Sequence, residues 1–196
     1  MNPRVVPLIE AVRNHRDRFD SFALSLSEED LKRPVPGSDW IVKDFVSHIA
    51  SIDLTVREWF RSLAGKAPAA AQDPQEKPEE RPGFDIDAWN NRQVARRRDL
   101  PVEQIVEDGR LLRDELLQVI AEFPDEVLNS DIPFPGDANR SPQDINFGAY
   151  LVAWATHEPA HALDMLRALP ERKEDPELHR WLDAVEFSVW PPKQGL

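Results

Sequence analysis

The chain of 196 residues has no cysteine. That absence removes disulfides, thiolate metal sites and a cysteine nucleophile from consideration, and it agrees with a reducing, cytoplasmic setting. Positive charge is scarce as well. Against 36 Asp and Glu stand 24 Lys and Arg, a net charge of −12, which disfavours phosphate backbones and anionic membrane surfaces. Long apolar runs are missing: the longest nearly uninterrupted one, Phe147 to Ala155, is far below the roughly 20 residues that a spanning helix needs. No apolar segment precedes the first charges between Met1 and His15, so no signal peptide is expected. These absences exclude nucleic acid and membrane as expected partners and leave a small-molecule substrate. No useful length of strand alternation and no internal repeat is visible either.

What is present is helical periodicity. A chain of this length can bury about two-thirds of its unfolded surface, so one domain over 1–196 is expected. From Pro3 to about Leu26, Val5, Leu8, Ile9, Val12, Phe19 and Phe22 recur at helical spacing, with Arg13, Arg16, Asp17, Arg18 and Asp20 expected largely around the other side. His15 falls near the inner face and reads as a boundary histidine bonded to a neighbour. Ser27 to Asp30 is a short capped turn, and Pro34, Pro36 and Gly37 then interrupt any helix. A second long helix opens at Trp40 and runs to Gly65 on a stripe of Phe45, Ile49, Ile52, Val56, Trp59 and Leu63, with His48 at its edge. Residues 66–83, with prolines at 68, 74, 78 and 82, are expected to be a flexible crossover loop. Asp87 is placed to cap a short helix, Ala88 to Arg98, whose Arg96-Arg97-Arg98 run reads as a solvated face. Another helix restarts after Asp99-Leu100-Pro101 and continues to Phe123, with Gly109 inside it as a point of close helix contact or a weak spot. Residues 124–140 read as an irregular connection, 171–196 as a C-terminal helical extension. The helix in that extension spans about Pro176 to Val189 and carries Leu178, Trp181, Leu182, Val185 and Phe187, with His179 on its surface.

The most informative stretch is Ser141 to Leu169, expected as one long helix with Ser141 as N-cap, Pro142 at the first position and Asp144 in the first turn. Tyr150, Trp154, His157, His161 and Asp164 fall on one face, flanked by Ile145, Ala149, Val152, Ala162, Leu166 and Leu169. Two histidines at i and i+4 project the same way, about 6 Å apart at Cβ, close enough for both imidazoles to bind one cation. His157-Glu158-Pro159-Ala160-His161 also spells the H-E-x-x-H string, in which Glu is the general base of a zinc peptidase. Pro159 fits that motif poorly, because it removes the amide that would bond the Ala155 carbonyl and predicts a kink or bulge between Ala155 and Pro159. Glu158-x-x-His161 is half of a ferritin-like di-iron motif, and the second half is missing from the chain.

Taken together, Trp40-x-x-x-Asp44-x-x-x-His48, His157-x-x-x-His161 and Ala162-Leu163-Asp164-Met165 resemble the DinB/YfiT-like superfamily of metalloenzymes. The His-Ala-Leu-Asp ending and Asp87-Ala88-Trp89-Asn90 look like its branch containing the mycothiol-dependent maleylpyruvate isomerase N-terminal domain. The resemblance reaches the whole bundle and implies an all-α, antiparallel four-helix bundle with two additional short helices. It implies His48, His157 and His161 as metal ligands, with Trp40 packed beneath the first, and a homodimer is included in the expectation. Ile41 stands where the family usually has Ser or Thr, so Ser38 or Asp39 is expected to cap the second helix. Three neutral imidazoles suit a borderline divalent ion such as zinc or nickel and leave a position open. Asp44, Asp53, Glu158 and Asp164 are candidates to orient the imidazoles. Three functions follow: a transferase or isomerase using mycothiol, bacillithiol or glutathione; a metal-water hydrolase of a small substrate; or a non-catalytic metal or small-ligand binding protein of a stress response. Substrate would be read near Pro133 to Arg140 and by Trp89, Asn90 and Arg92.

Overall fold

The computed structural model describes residues 1–63, 65, 85–134 and 141–186. The loop expected at 66–83, residues 135–140 of the substrate-reading segment, and Phe187 to Val189 of the last helix lie outside the described residues.

Asn2 caps a 3-10 turn, Pro3–Val5, which runs straight into α1, Val6–Leu24. Ser27 and Asp30 close a reciprocal capping box on α2, Glu28–Leu31. α3 spans Val42–Leu63: the Asp44 carboxylate reaches back to accept from the Ile41 amide at 3.1 Å, and the Val42 amide donates to the Arg33 carbonyl at 3.0 Å. This corrects the expectation of a Ser38 or Asp39 cap, since the Ser38 hydroxyl instead accepts from the Trp40 amide. α4, Ile86–Arg97, is capped by Asp85 rather than Asp87, Asp85 accepting from the Ala88 amide at 2.9 Å. α5, Val102–Ala121, follows Pro101. Its Gly109 is a true close approach, because a Cβ there would lie 2.8 Å from the Cα of Ala50 on α3.

The largest departure comes before the histidines. After α6, Asp125–Leu128, the chain forms β1, Asp131–Phe134, which pairs antiparallel with β2, Gln143–Asn146. Ser141 is therefore not an N-cap, and Asp144 lies opposite Pro133 in a ribbon. The ribbon is anchored by Ile132 and Ile145, directly opposed and both buried. Four residues a strand is too short for alternation to stand out. Asn146 then caps α7, Phe147–Trp154, by accepting from the Ala149 amide at 3.0 Å.

The expected long helix is also broken. The Ala155 amide still makes the helical bond to the Leu151 carbonyl, the Thr156 amide tightens to the Ala153 carbonyl, and α8 starts afresh as His157–Met165. The break falls where Pro159 predicted a disturbance: as the third residue of α8, Pro159 needs no intrahelical acceptor for the N–H it lacks. Val152, expected on the inner flank, is 52% exposed. A second 3-10 turn, Pro170–Glu174, leads to α9, Pro176–Leu182, which is capped by Asp175 and ends well short of Val189.

The fold is predominantly helical, as expected. α3 lies against α5, α4 and α8, while α1 packs on α5 and α8. Central placement explains why the first half of α3 is buried nearly all round, Ser47, His48, Ser51 and Asp53 included. The apolar core falls into two clusters, one around Phe19, Phe45, Ile49, Ile105 and Met165 and one around Phe60, Leu116, Phe123, Phe147 and Leu151. At the changeover between them stand four buried charges: Arg16, Asp53, Arg113 and Glu158. Arg16 thus faces inward, against the outward placement that its neighbours suggested. Among the described residues no helix is long and apolar enough to cross a membrane.

Candidate metal centre

His48 projects from α3 two turns after its start, and His157 and His161 from successive turns of α8. One ring nitrogen of each lies within 4.8 Å of the others, and the ring centroids are 4.6 to 5.2 Å apart. Nε2 of His157 and Nε2 of His161 face each other at 3.1 Å. Aromatic neighbours enclose the cluster: Trp40 lies 5.2 Å from the His48 ring and Phe45 lies 5.5 Å from the His161 ring. Trp40 is held in turn by α4, its indole N–H donating to Asn91 at 2.8 Å.

Protonation follows from this enclosure. Burial pushes His48 well below the ordinary imidazole range, and the neighbouring His161 adds to it, while Asn90 works the other way. His157 is pushed down by burial, then by His161 and His48. Both rings are therefore neutral at physiological pH, with a lone pair free on one nitrogen. His161 differs because its Nδ1 meets the Asp164 carboxylate at 3.1 Å. An ionised carboxylate only accepts, so Nδ1 carries the proton of this contact and Nε2 is the nitrogen that faces His157. Burial opposes ionisation of Asp164, but the hydrogen bonds from His161 and Arg167 outweigh it and hold its pKa down.

Nδ1 of His48 and Nδ1 of His157 are enclosed and have no hydrogen-bond partner. Three converging imidazoles fit a single borderline divalent cation, and no carboxylate or thiolate stands among them to favour another ion class. The resulting donor set is all-nitrogen.

The four candidate orienting carboxylates divide. Asp164 bonds a histidine; Asp44 is occupied with the Ile41 amide and lies 4.0 Å from Arg98. Asp53 and Glu158 turn away into the buried charge cluster. The Asp53 carboxylate accepts from Arg113 at 2.8 Å and from Arg16 at 3.1 Å; Glu158 binds Arg113 closely and Arg16 at 3.3 Å. A Glu158 held by two guanidiniums is no general base, so the peptidase meaning of the H-E-x-x-H string fails here. Sequence reasoning passed over Arg16 and Arg113. Their signal was an arginine inside each apolar stripe, after Val12 and before Phe19 on α1, and after Gly109 and before Leu116 on α5.

The other expected residues scatter. Asn90 is buried beside His48, with its side-chain oxygen unpartnered; Trp89 packs at the edge of the second core cluster; Arg92 is exposed; Pro133 belongs to β1. His15 accepts from the Trp181 indole at 2.9 Å, the structural role expected of it, and His179 lies on the surface.

The sequence model of the mycothiol maleylpyruvate isomerase N-terminal domain matches residues 12–144. A crystal structure of the mycothiol-dependent maleylpyruvate isomerase is similar over 82% of this chain and 60% of its own, with a TM-score of 0.58 and 10% identity. A mutant form of that isomerase, with a histidine replaced by alanine, is similar at a TM-score of 0.56 and 9% identity, covering 81% of this chain and 59% of its own. At that identity the likeness is one of fold, and the chain spans about 60% of the length of these structures. No curated protein matches.

Proposed function

The chain belongs to the mycothiol maleylpyruvate isomerase N-terminal domain family, and from that premise we propose that it is a metal-dependent enzyme of low-molecular-weight thiol chemistry, a transferase or isomerase. His48, His157 and His161 would hold the ion, with zinc or nickel the best match to three imidazoles. Bound there, the ion supplies a position at which a thiol is held as its thiolate at neutral pH. Without cysteine the chain cannot supply that thiol itself, so it comes from mycothiol, bacillithiol or glutathione.

The observation that carries this reading is the convergence of three ring nitrogens within 4.8 Å, with burial keeping His48 and His157 neutral. The protein's own part is positional. His161 is held in one tautomer by Asp164, and Trp40 and Phe45 screen the cluster from bulk water. A sulfur nucleophile kept beside an electrophilic carbon serves two outcomes. Displacement at a halogenated or epoxide carbon yields an S-conjugate; reversible addition to a conjugated double bond allows cis/trans isomerisation. The reading treats 1–196 as a single cytoplasmic domain acting as a homodimer, which light scattering in solution tests.

The decisive experiment follows consumption of each of the three thiols with a panel of small electrophiles, comparing metal-replete protein, chelated protein and His48→Ala. Thiol loss faster in the replete protein than in both others supports the proposal. Cleavage of amide or ester substrates instead makes the protein a hydrolase, and neither activity makes it a binding module.

A further inference from the structure

The four buried charges at the middle of the fold include Glu158, the residue next to His157. Each comes from a different arm: Arg16 from α1, Asp53 from α3, Arg113 from α5 and Glu158 from α8. None is more than 3% exposed. The connections form a closed square. Arg113 donates through Nε to Asp53 and through Nη2 to Glu158; Arg16 donates through Nη2 to Asp53 and stands as an ion pair, Nε 3.3 Å from the carboxylate, with Glu158. Arg16 Nη2 also donates to the Ile49 carbonyl at 3.1 Å, and the Arg113 guanidinium lies 4.5 Å over the Trp154 ring.

Stability alone is a weak reason for such a square, because desolvating four charges offsets most of their attraction and apolar replacements of equal volume are often no less stable. Its wiring is more informative. The two carboxylates belong to α3 and α8, the same two helices that carry the three imidazoles. Both arginines come from the other two arms and each spans the gap between the carboxylates. Asp53 follows His48 by five residues, and Glu158 follows His157 by one. On α8 this matters most, since the helical hydrogen bonding of α7 is interrupted at Thr156 and the axis is not carried unbroken from α7 into His157.

We propose that the Arg16–Asp53–Arg113–Glu158 square is a positioning device for the histidine site: it cross-links α8 to α3 beside His157 and thereby sets the separation of His157 and His161 from His48. These are positioning residues, since none of them touches the imidazole nitrogens that would face a ligand. The inference rests on the metal reading above, and its test separates the two.

Arg113→Lys keeps the charge but loses the fork, so a single ammonium cannot span both carboxylates with Nε and Nη2 geometry. Glu158→Gln keeps the shape and removes one charge. Cobalt(II) serves as the probe, because its visible absorption reports ligand geometry directly. Wild type is expected to bind about one cobalt per chain, and both variants are expected to bind it about 10- to 100-fold more weakly, with shifted visible bands, while far-UV circular dichroism is unchanged. If one variant does not fold, the other is read, with Arg16→Lys as the equivalent change on the opposite bridge. Folded variants with wild-type cobalt spectrum and affinity overturn the positioning role and leave the metal site standing. Wild type that takes up no cobalt overturns the metal reading, and the positioning role with it.

Discussion

α3 carries His48 inside 22 unbroken residues, whereas His157 opens the nine-residue α8 directly after a break in the helical hydrogen bonding. On α3 the backbone orients the ligand. Helical hydrogen bonds run on both sides of His48, and the surrounding turns are buried against α4, α5 and α8, so little is left for side chains to decide. On α8 the backbone does less, since the first four amides of a helix have no partner within it. Side chains take over: Glu158 is fixed by two arginines from other arms, and His161 is turned by Asp164. One cluster of three imidazoles is thus assembled by two means, secondary structure on one side and buried electrostatics on the other.

The strongest way to break that contrast is Arg113→Met. It leaves Asp53 and Glu158 facing Arg16 alone in a sealed space, and breaking a buried charge network costs about 3–5 kcal/mol. Urea unfolding should report a loss of that size, against less than about 0.5 kcal/mol for a change at the exposed Leu111. A cost for Arg113→Met as small as the surface change would mean that α8 is held by apolar packing instead.

Next in size is His48→Ala. Losing one of three donors should weaken divalent-ion binding by more than about 100-fold, beyond the range that outer partners alone command. Elemental analysis and a competitive titration decide it. Equal metal in the variant and the wild type would confine the site to α8.

Asn146→Ala sharpens the contrast from the other end, by removing the cap of α7. Unfolding should show a loss of about 1 kcal/mol. Metal affinity should not change, because the turn at Ala155 and Thr156 separates α7 from α8. A parallel fall in affinity would show that the two helices act as one.

The smallest effect is a pH slope in the metal-free protein. His48 and His157 titrate well below 6.5 when folded and near 6.5 when unfolded. As pH falls below about 6.5 the unfolded chain takes up protons that the folded chain does not, so stability declines until the folded values are reached. Asp20, whose carboxyl burial raises, pulls the other way. The comparison that isolates the imidazole is the melting temperature of wild type against His48→Asn between about pH 7.5 and 5. Wild type should lose more on acidification, and identical slopes would mean that His48 is not protected from protons by folding.

Much of the architecture was legible because amphipathic spacing is a local property. α1, α3 and α5 appear within a few residues of their expected limits, since each presents apolar side chains at helical intervals over about 20 residues. The β1–β2 ribbon and the split of the last arm were less legible. A four-residue strand carries too few alternations to be read, and Ser141-Pro142 has the form of a helix start that the pairing of Ile132 with Ile145 overrides. Pro159 located the disturbance in α8; what it could not convey was that the helix ends and begins again there.

The histidines themselves were readable, His157 and His161 from their i, i+4 spacing and His48 from the motif that joins it to them. Spacing is written in the chain because a helix converts sequence distance into direction. That His48 meets the other two within 4.8 Å was decided only by the packing of α3 on α8, and the neutrality of His48 and His157 only by the burial that this packing brings. The charge square belongs wholly to tertiary structure. Its four members lie on four arms, Glu158 reads as a motif base and Arg16 as a surface residue, and no local rule pairs them; desolvation forces each buried charge to find its counterpart, and which counterpart is in reach depends on how four arms are brought together.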